Sequence, residues 1–223
     1  MLRRLVRKKN EKVFCISIQK TGTTSVGKFF RDFEYKWAGW PASIKNDWMK
    51  LWFDGDYESI FNSLDFKKHN AYEDSPWFYP GFYKILYHRF PDAKFILFTR
   101  DQDEWFRSMM SHSGGSILGR TRIHSKVYRR ELEFFDLYSA GLINEESEMP
   151  DYKERVMKLL DQKKNYMQLY KLHTLEVIDF FERTSPDSLF VCGLADEKKW
   201  QKLGVFLGIN VPENYECHEN SSV

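Results

Sequence analysis

Apolar positions fall along this chain in two alternating patterns. Short, nearly unbroken apolar runs occur at Val13–Ile18, at 94-KFILFT-99 and at 189-LFVC-192. Runs of this length predict strands covered on both faces, as in a parallel sheet. Between them the spacing changes to that of helices. Val26, Phe29, Phe30 and Phe33 share one helical face directly after the first strand. A weaker helical pattern covers 47–64 and is interrupted at Asp54-Gly55-Asp56. Further helices are predicted over Tyr79–Arg89, Asp101–Ser111, 125–140 and 151–183. A closing amphipathic helix carries Trp200, Leu203, Phe206 and Leu207, and 113-SGGSILGRTR-122 reads as a glycine-rich basic loop. Strand–helix alternation of this kind predicts an α/β fold with a central parallel sheet flanked by helices. No repeat, low-complexity tract or linker divides the 223 residues, so a single domain over 1–223 is expected.

Charge narrows the function classes. The formal net charge is only +2, which argues against a dedicated nucleic-acid binder. Positive charge is local: Arg3, Arg4, Arg7, Lys8 and Lys9 mark residues 1–10 as a basic flexible tail. No apolar run approaches the ~20 residues of a membrane span. Three widely spaced cysteines (Cys15, Cys192, Cys217) suggest a reducing compartment instead of a disulfide framework, and a cytoplasmic protein is expected. Aromatic residues make up 17% of the chain and crowd 35–61. They suit a ring-lined pocket near an acceptor site, and equally a large aromatic core.

In parallel sheets, ligands bind beyond the carboxyl ends of the strands. Two segments fall there: Lys20–Ser25 after the first strand, and Arg100 after the 94–99 strand. The turn 19-QKTGTTSVGK-28 can be read in two frames. Gly22–Lys28 approximates a Walker A loop, but that motif needs a Ser or Thr after its lysine to hold magnesium. Phe29 stands there, on the apolar face of the helix. The other frame puts Lys20 in the turn, with Thr21, Gly22, Thr23, Thr24 and Ser25 around a helix N-terminus. Free N–H groups and the helix dipole favour an anion at such a place. Arg100 at a strand end can fork two hydrogen bonds to phosphate, and Ser108 on the following helix can add another. Two phosphate-type sites at adjacent strand ends suit a ligand with phosphates at both ends.

These segments resemble the sulfotransferases that use 3′-phosphoadenosine-5′-phosphosulfate (PAPS). Lys20-Thr21-Gly22-Thr23-Thr24 is similar to their 5′-phosphosulfate loop, and Arg100 with Ser108 to their 3′-phosphate motif. The resemblance extends through 54-DGDYESI-60, 72–101 and 200-WQKLGVFLGINVP-212. It implies a P-loop-like sulfotransferase architecture. It also implies transfer of a sulfuryl group from PAPS to an acceptor hydroxyl or amine, with adenosine 3′,5′-bisphosphate (PAP) as product and no metal. Lys20 would then stabilise the leaving oxygen. Where related cytosolic enzymes carry a catalytic histidine, this chain has Glu73 and Asp74. Asp74 is favoured as general base, with Glu73 second; capping of a helix near Pro76 is the alternative for Asp74. His112, His124, Arg120 and Arg122 are minor candidates on or beside the glycine-rich loop. Two rival readings stay open: a P-loop nucleotide kinase or NTPase using Gly22–Lys28, and a non-catalytic sulfotransferase-like nucleotide-binding protein. The expected acceptor is a small or soluble molecule, and a homodimer stays open.

Overall fold

A computed structural model describes residues 11–113, 122–141 and 162–218. Within it, five parallel strands form one sheet in the order β2-β3-β1-β4-β5. They are β1 (Val13–Cys15), β2 (Trp37–Ala38), β3 (Ala71–Tyr72), β4 (Lys94–Thr99) and β5 (Leu189–Gly193). Three of these are the predicted runs, although β1 ends at Cys15, short of Ile18. The apolar pattern does not predict β2 and β3, because two residues are too few to show a strand's alternation.

The pleat of β4 explains why its sequence is apolar throughout. Phe95 and Leu97 point into one core, Ile96 and Phe98 into another. The first core is closed by α7 (Gln102–Ser113) through Trp105 and Met109, and by α10 (Lys163–Thr184) through Tyr170, Val177 and Phe181. The second is closed by α1 (Thr23–Asp32) through Val26, Phe29 and Phe30, and by α11 (Lys199–Leu207) through Trp200, Leu203 and Leu207. Phe29 is fully buried and stacks on Trp200 with ring centroids 5.4 Å apart. Removing that ring costs about 3–5 kcal/mol. Phe29 is therefore a core residue that fixes the pitch of α1 against the sheet.

Helix boundaries follow local backbone chemistry. The predicted 47–64 helix is two helices, α3 (Trp48–Asp54) and α4 (Tyr57–Asn62). Gly55, at φ 78°, ends the first, and the Asp56 carboxylate caps the second by accepting from the Ser59 N–H at 3.1 Å. The predicted Tyr79–Arg89 helix begins later, as α6 (Phe82–Arg89), because Gly81 ahead of it is left-handed at φ 72°. The predicted 125–140 helix splits into α8 (Arg122–Val127) and α9 (Glu131–Ser139) around Arg129, at φ 55°. Short helices α2 (Trp40–Lys45) and α5 (Leu64–Lys68) add to the predicted set. Trp48 and Trp52 of the aromatic segment are buried in the first core. Residues 1–10, most of the glycine-rich loop and the beginning of the 151–183 helix lie outside the described residues. Among the described residues no helix is long and apolar enough to cross a membrane.

Candidate active site

From β1 the chain runs outward to β2 and returns through β3, then crosses to β4 and β5 on the other side. The strand order thus switches between β1 and β4, and a crevice is expected at their carboxyl ends. A cavity of about 1210 Å³ opens there. Lys20, Gly22, Thr23, Thr24, Ser25, Asp74, Arg100 and Ser108 line it; Thr21 and Glu73 do not.

The turn after β1 is shaped by two left-handed residues. Gly22 has φ 83°, where glycine carries no penalty. Lys20 has φ 68°, an uncommon conformation for a side chain of its size, and its strain must be held by surrounding contacts. Thr21 is fully buried, and its hydroxyl donates to the Ile18 carbonyl at 2.5 Å. Thr21 therefore ties the turn together from within, contrary to the expectation of a ligand-facing hydroxyl. The Val26 N–H bonds the Gly22 carbonyl at 3.0 Å and starts α1, whose first turn carries no acidic side chain. The positive end of the helix dipole thus faces the cavity.

Arg100 leaves β4 beside this turn. Burial, and after it the nearby Arg100 charge, holds the Lys20 ammonium below the usual lysine pKa. The guanidinium contacts Glu104 at 3.4 Å, one turn along in α7. Two rings brace both cations from behind. The Trp105 indole N–H donates to the Gln19 carbonyl at 3.0 Å, just ahead of Lys20. The Tyr170 hydroxyl accepts from the Arg100 N–H at 2.7 Å and lies 3.1 Å from the Arg100 carbonyl. The two rings stack on each other with centroids 4.6 Å apart. No sequence motif singles out Trp105 or Tyr170. The indole of Trp105 falls within an R-D-helix segment, but nothing there indicates that it reaches back to Gln19.

The carboxylates after β3 take different surroundings. Asp74 sits at φ 71°, lines the cavity and accepts from its neighbour's Ser75 N–H at 2.7 Å. Glu73 is buried, and its Oε2 has no hydrogen-bond partner among the described residues. It packs against Gly27 of α1 and Gly39: a Cβ on Gly39 would meet its Oε1 at 2.4 Å. Burial above all, and the neighbouring Asp74 charge, push its carboxyl up to about 8; Trp37 and Arg31 partly offset this. Glu73 is thus buried away from the cavity that Asp74 lines, unlike the expectation of a second candidate base beside Asp74.

The remaining candidates lie elsewhere. Lys28 pairs with Asp32 at 2.7 Å on α1 and does not line the cavity. His124 neighbours Tyr128, and Arg122 lies over the Phe53 ring at 5.1 Å. The Arg120 position and the His112 side chain are outside the described residues. His173, which no sequence spacing marks, is a core strut 3.0 Å from the Ile16 carbonyl. The cavity wall also holds residues that no motif announces: Leu194, Lys199, Trp200, Cys217 and His218. None of residues 37–53 lines it; Trp48 and Trp52 of the tryptophan-rich segment are core residues, and Trp40 is exposed. Among the described residues, no group of three or more His, Cys, Asp or Glu could hold a metal ion.

A helix N-terminus, two cations and a carboxylate thus converge on one cavity, which suits a polyanionic ligand and a proton acceptor beside it. A comparison with curated proteins gave no match. A family model described as Sulfotransferase domain matches residues 12–222. Nearly the whole chain is covered, and it belongs to the sulfotransferase domain family.

Proposed function

We propose that the protein transfers a sulfuryl group from PAPS to an acceptor hydroxyl or amine, leaving PAP. The observation that carries this reading is that Lys20 and Arg100 line one cavity from neighbouring strand ends, close enough for the Arg100 charge to lower the Lys20 pKa. A nucleotide phosphorylated at both ends satisfies both cations at once. In this reading the N–H groups of the first turn of α1, with the hydroxyls of Thr23, Thr24 and Ser25, bind the 5′-phosphate. Thr21 supports the turn. Arg100 and Ser108 bind the 3′-phosphate, which displaces Glu104 from the guanidinium.

Chemistry then follows from position. The acceptor oxygen attacks sulfur in line with the bridging S–O bond. As that bond breaks, its electron pair stays on the 5′-phosphate oxygen, where Lys20 neutralises the developing charge. Asp74 takes the acceptor proton as the new O–S bond forms. The two cations act preorganised, because Trp105 holds the Gln19 carbonyl just ahead of Lys20 and Tyr170 holds the Arg100 backbone. The acceptor is a small or soluble molecule. The three cysteines are buried thiols outside any disulfide, which fits a reducing, cytoplasmic setting.

The test is PAP release from PAPS across a panel of phenolic, alcoholic and amine acceptors. Lys20→Ala should abolish release while retaining part of the nucleotide affinity, and Lys28→Ala should stay near wild type. Loss with Lys28→Ala and not with Lys20→Ala would favour a magnesium–nucleotide enzyme instead.

A further inference from the structure

We infer that Lys199 is a third cation for the donor nucleotide and contacts its 5′-phosphate end from the β5–α11 side of the cavity. The inference rests on the PAPS reading and adds a binding residue to it. Lys199 is the first residue of α11; it lines the cavity yet is only 5% exposed. Lysines are almost never buried to this degree unless paired. Its ammonium has three N–H donors. Among the described residues it makes one hydrogen bond, a long one of 3.3 Å to the Asp196 carbonyl. No ion pair among the described residues includes it. The carboxylate of Asp196 is committed elsewhere, to Lys202 and to the Lys198 N–H at 2.8 Å. The Trp200 ring lies 5.8 Å away, a weak partner for a desolvated charge. A buried cation that faces a cavity without a counter-ion costs folding free energy. That cost is offset when a ligand brings the anion.

The packing around Lys199 identifies which anion. A Cβ on Gly22 would lie 2.7 Å from Leu194 Cδ1, so the β5–α11 loop leans on the turn that starts α1. Trp200, next to Lys199, stacks on Phe29 of α1. The Cys217 thiol, also in the cavity wall, donates to the Ser25 carbonyl at 3.4 Å. Leu194 and Cys217, which share the cavity wall with Lys199, thus touch Gly22 and Ser25 at the α1 N-terminus, where the 5′-phosphate is bound in this reading, while Trp200 packs further along α1. The pair proposed for the 3′-phosphate lies apart from them, Arg100 directly after β4 and Ser108 within α7.

Calorimetry on wild type, Lys199→Met and Lys199→Arg, with PAP, adenosine 5′-phosphate and adenosine 3′-phosphate as probes, tests this. Losing a charged hydrogen bond should weaken Lys199→Met for PAP and adenosine 5′-phosphate by about tenfold, and for adenosine 3′-phosphate by less than about twofold. Lys199→Arg should recover most of the loss. Ligand-free Lys199→Met should melt at or above wild type, because an unpaired buried charge is gone. Wild-type affinity in Lys199→Met, or an equal loss for all three nucleotides, would overturn the inference while leaving the donor reading intact. So would a Lys199→Met protein that melts below wild type, since Lys199 would then serve the loop and not the ligand. A wild type that binds none of the three nucleotides would overturn the donor reading and this inference with it.

Discussion

Glu73 and Asp74 are adjacent in the chain, yet Asp74 lines the candidate active-site cavity while Glu73, 4% exposed, packs beside α1 against Gly27 and Gly39. Just past the end of β3 the backbone turns left-handed at Asp74, at φ 71°, and the two carboxylates part there. Replacing them is expected to have opposite effects. Asp74→Asn should lower turnover by about 10²–10⁴, the usual worth of a general base, with PAP affinity nearly unchanged. Glu73→Gln should keep most of the turnover. Steady-state kinetics with PAPS and any accepted substrate checks both.

Glu73 also ties stability to pH. Its carboxyl is raised from the ordinary 4.5 to about 8, so between those values the folded chain holds a proton that the unfolded chain has released. Stability from this group is complete below about pH 4.5 and is lost as pH rises through about 8. Every tenfold gain in proton affinity on folding is worth about 1.4 kcal/mol, so the effect can reach a few kcal/mol. Melting temperature should fall from about pH 5 to about pH 8 in wild type. Glu73→Gln should flatten that slope; an unchanged slope would place the titration elsewhere.

Arg100→Ala should weaken PAP binding by about 1.5–3 kcal/mol, the scale of a charged hydrogen bond. Adenosine 5′-phosphate should lose far less. Equal losses for the two nucleotides would remove Arg100 from the 3′-phosphate.

Trp105→Phe keeps the stacked ring but deletes the indole N–H that holds the Gln19 carbonyl. The expected cost in stability is about 1 kcal/mol, read from denaturant unfolding. Turnover should fall more than nucleotide affinity does, because Lys20, held at φ 68°, loses the brace on its preceding peptide. A proportional fall in both would mean that the brace serves binding alone.

How far the sequence discloses this site depends on what each residue does. Continuous apolar runs announce β4 and β5, and the Lys20–Ser25 turn is visible because Gly, Lys and hydroxyl residues cluster at a strand end. The two-residue strands β2 and β3 carry no readable period. Gly81, at φ 72°, moves the start of α6 without changing the apolar pattern. Thr21 reads as a ligand group because composition cannot show that its hydroxyl turns back to Ile18. Tyr170 and Lys199 come from helices distant in sequence, and Trp105, though near Arg100, reaches back to Gln19; only tertiary packing shows these contacts.

The most direct test of the central claim is calorimetric binding of PAP beside ATP with magnesium. Tight, metal-independent binding of PAP, lost in Arg100→Ala and retained in Lys28→Ala, is the predicted result. A preference for magnesium–ATP that depends on Lys28 would contradict it.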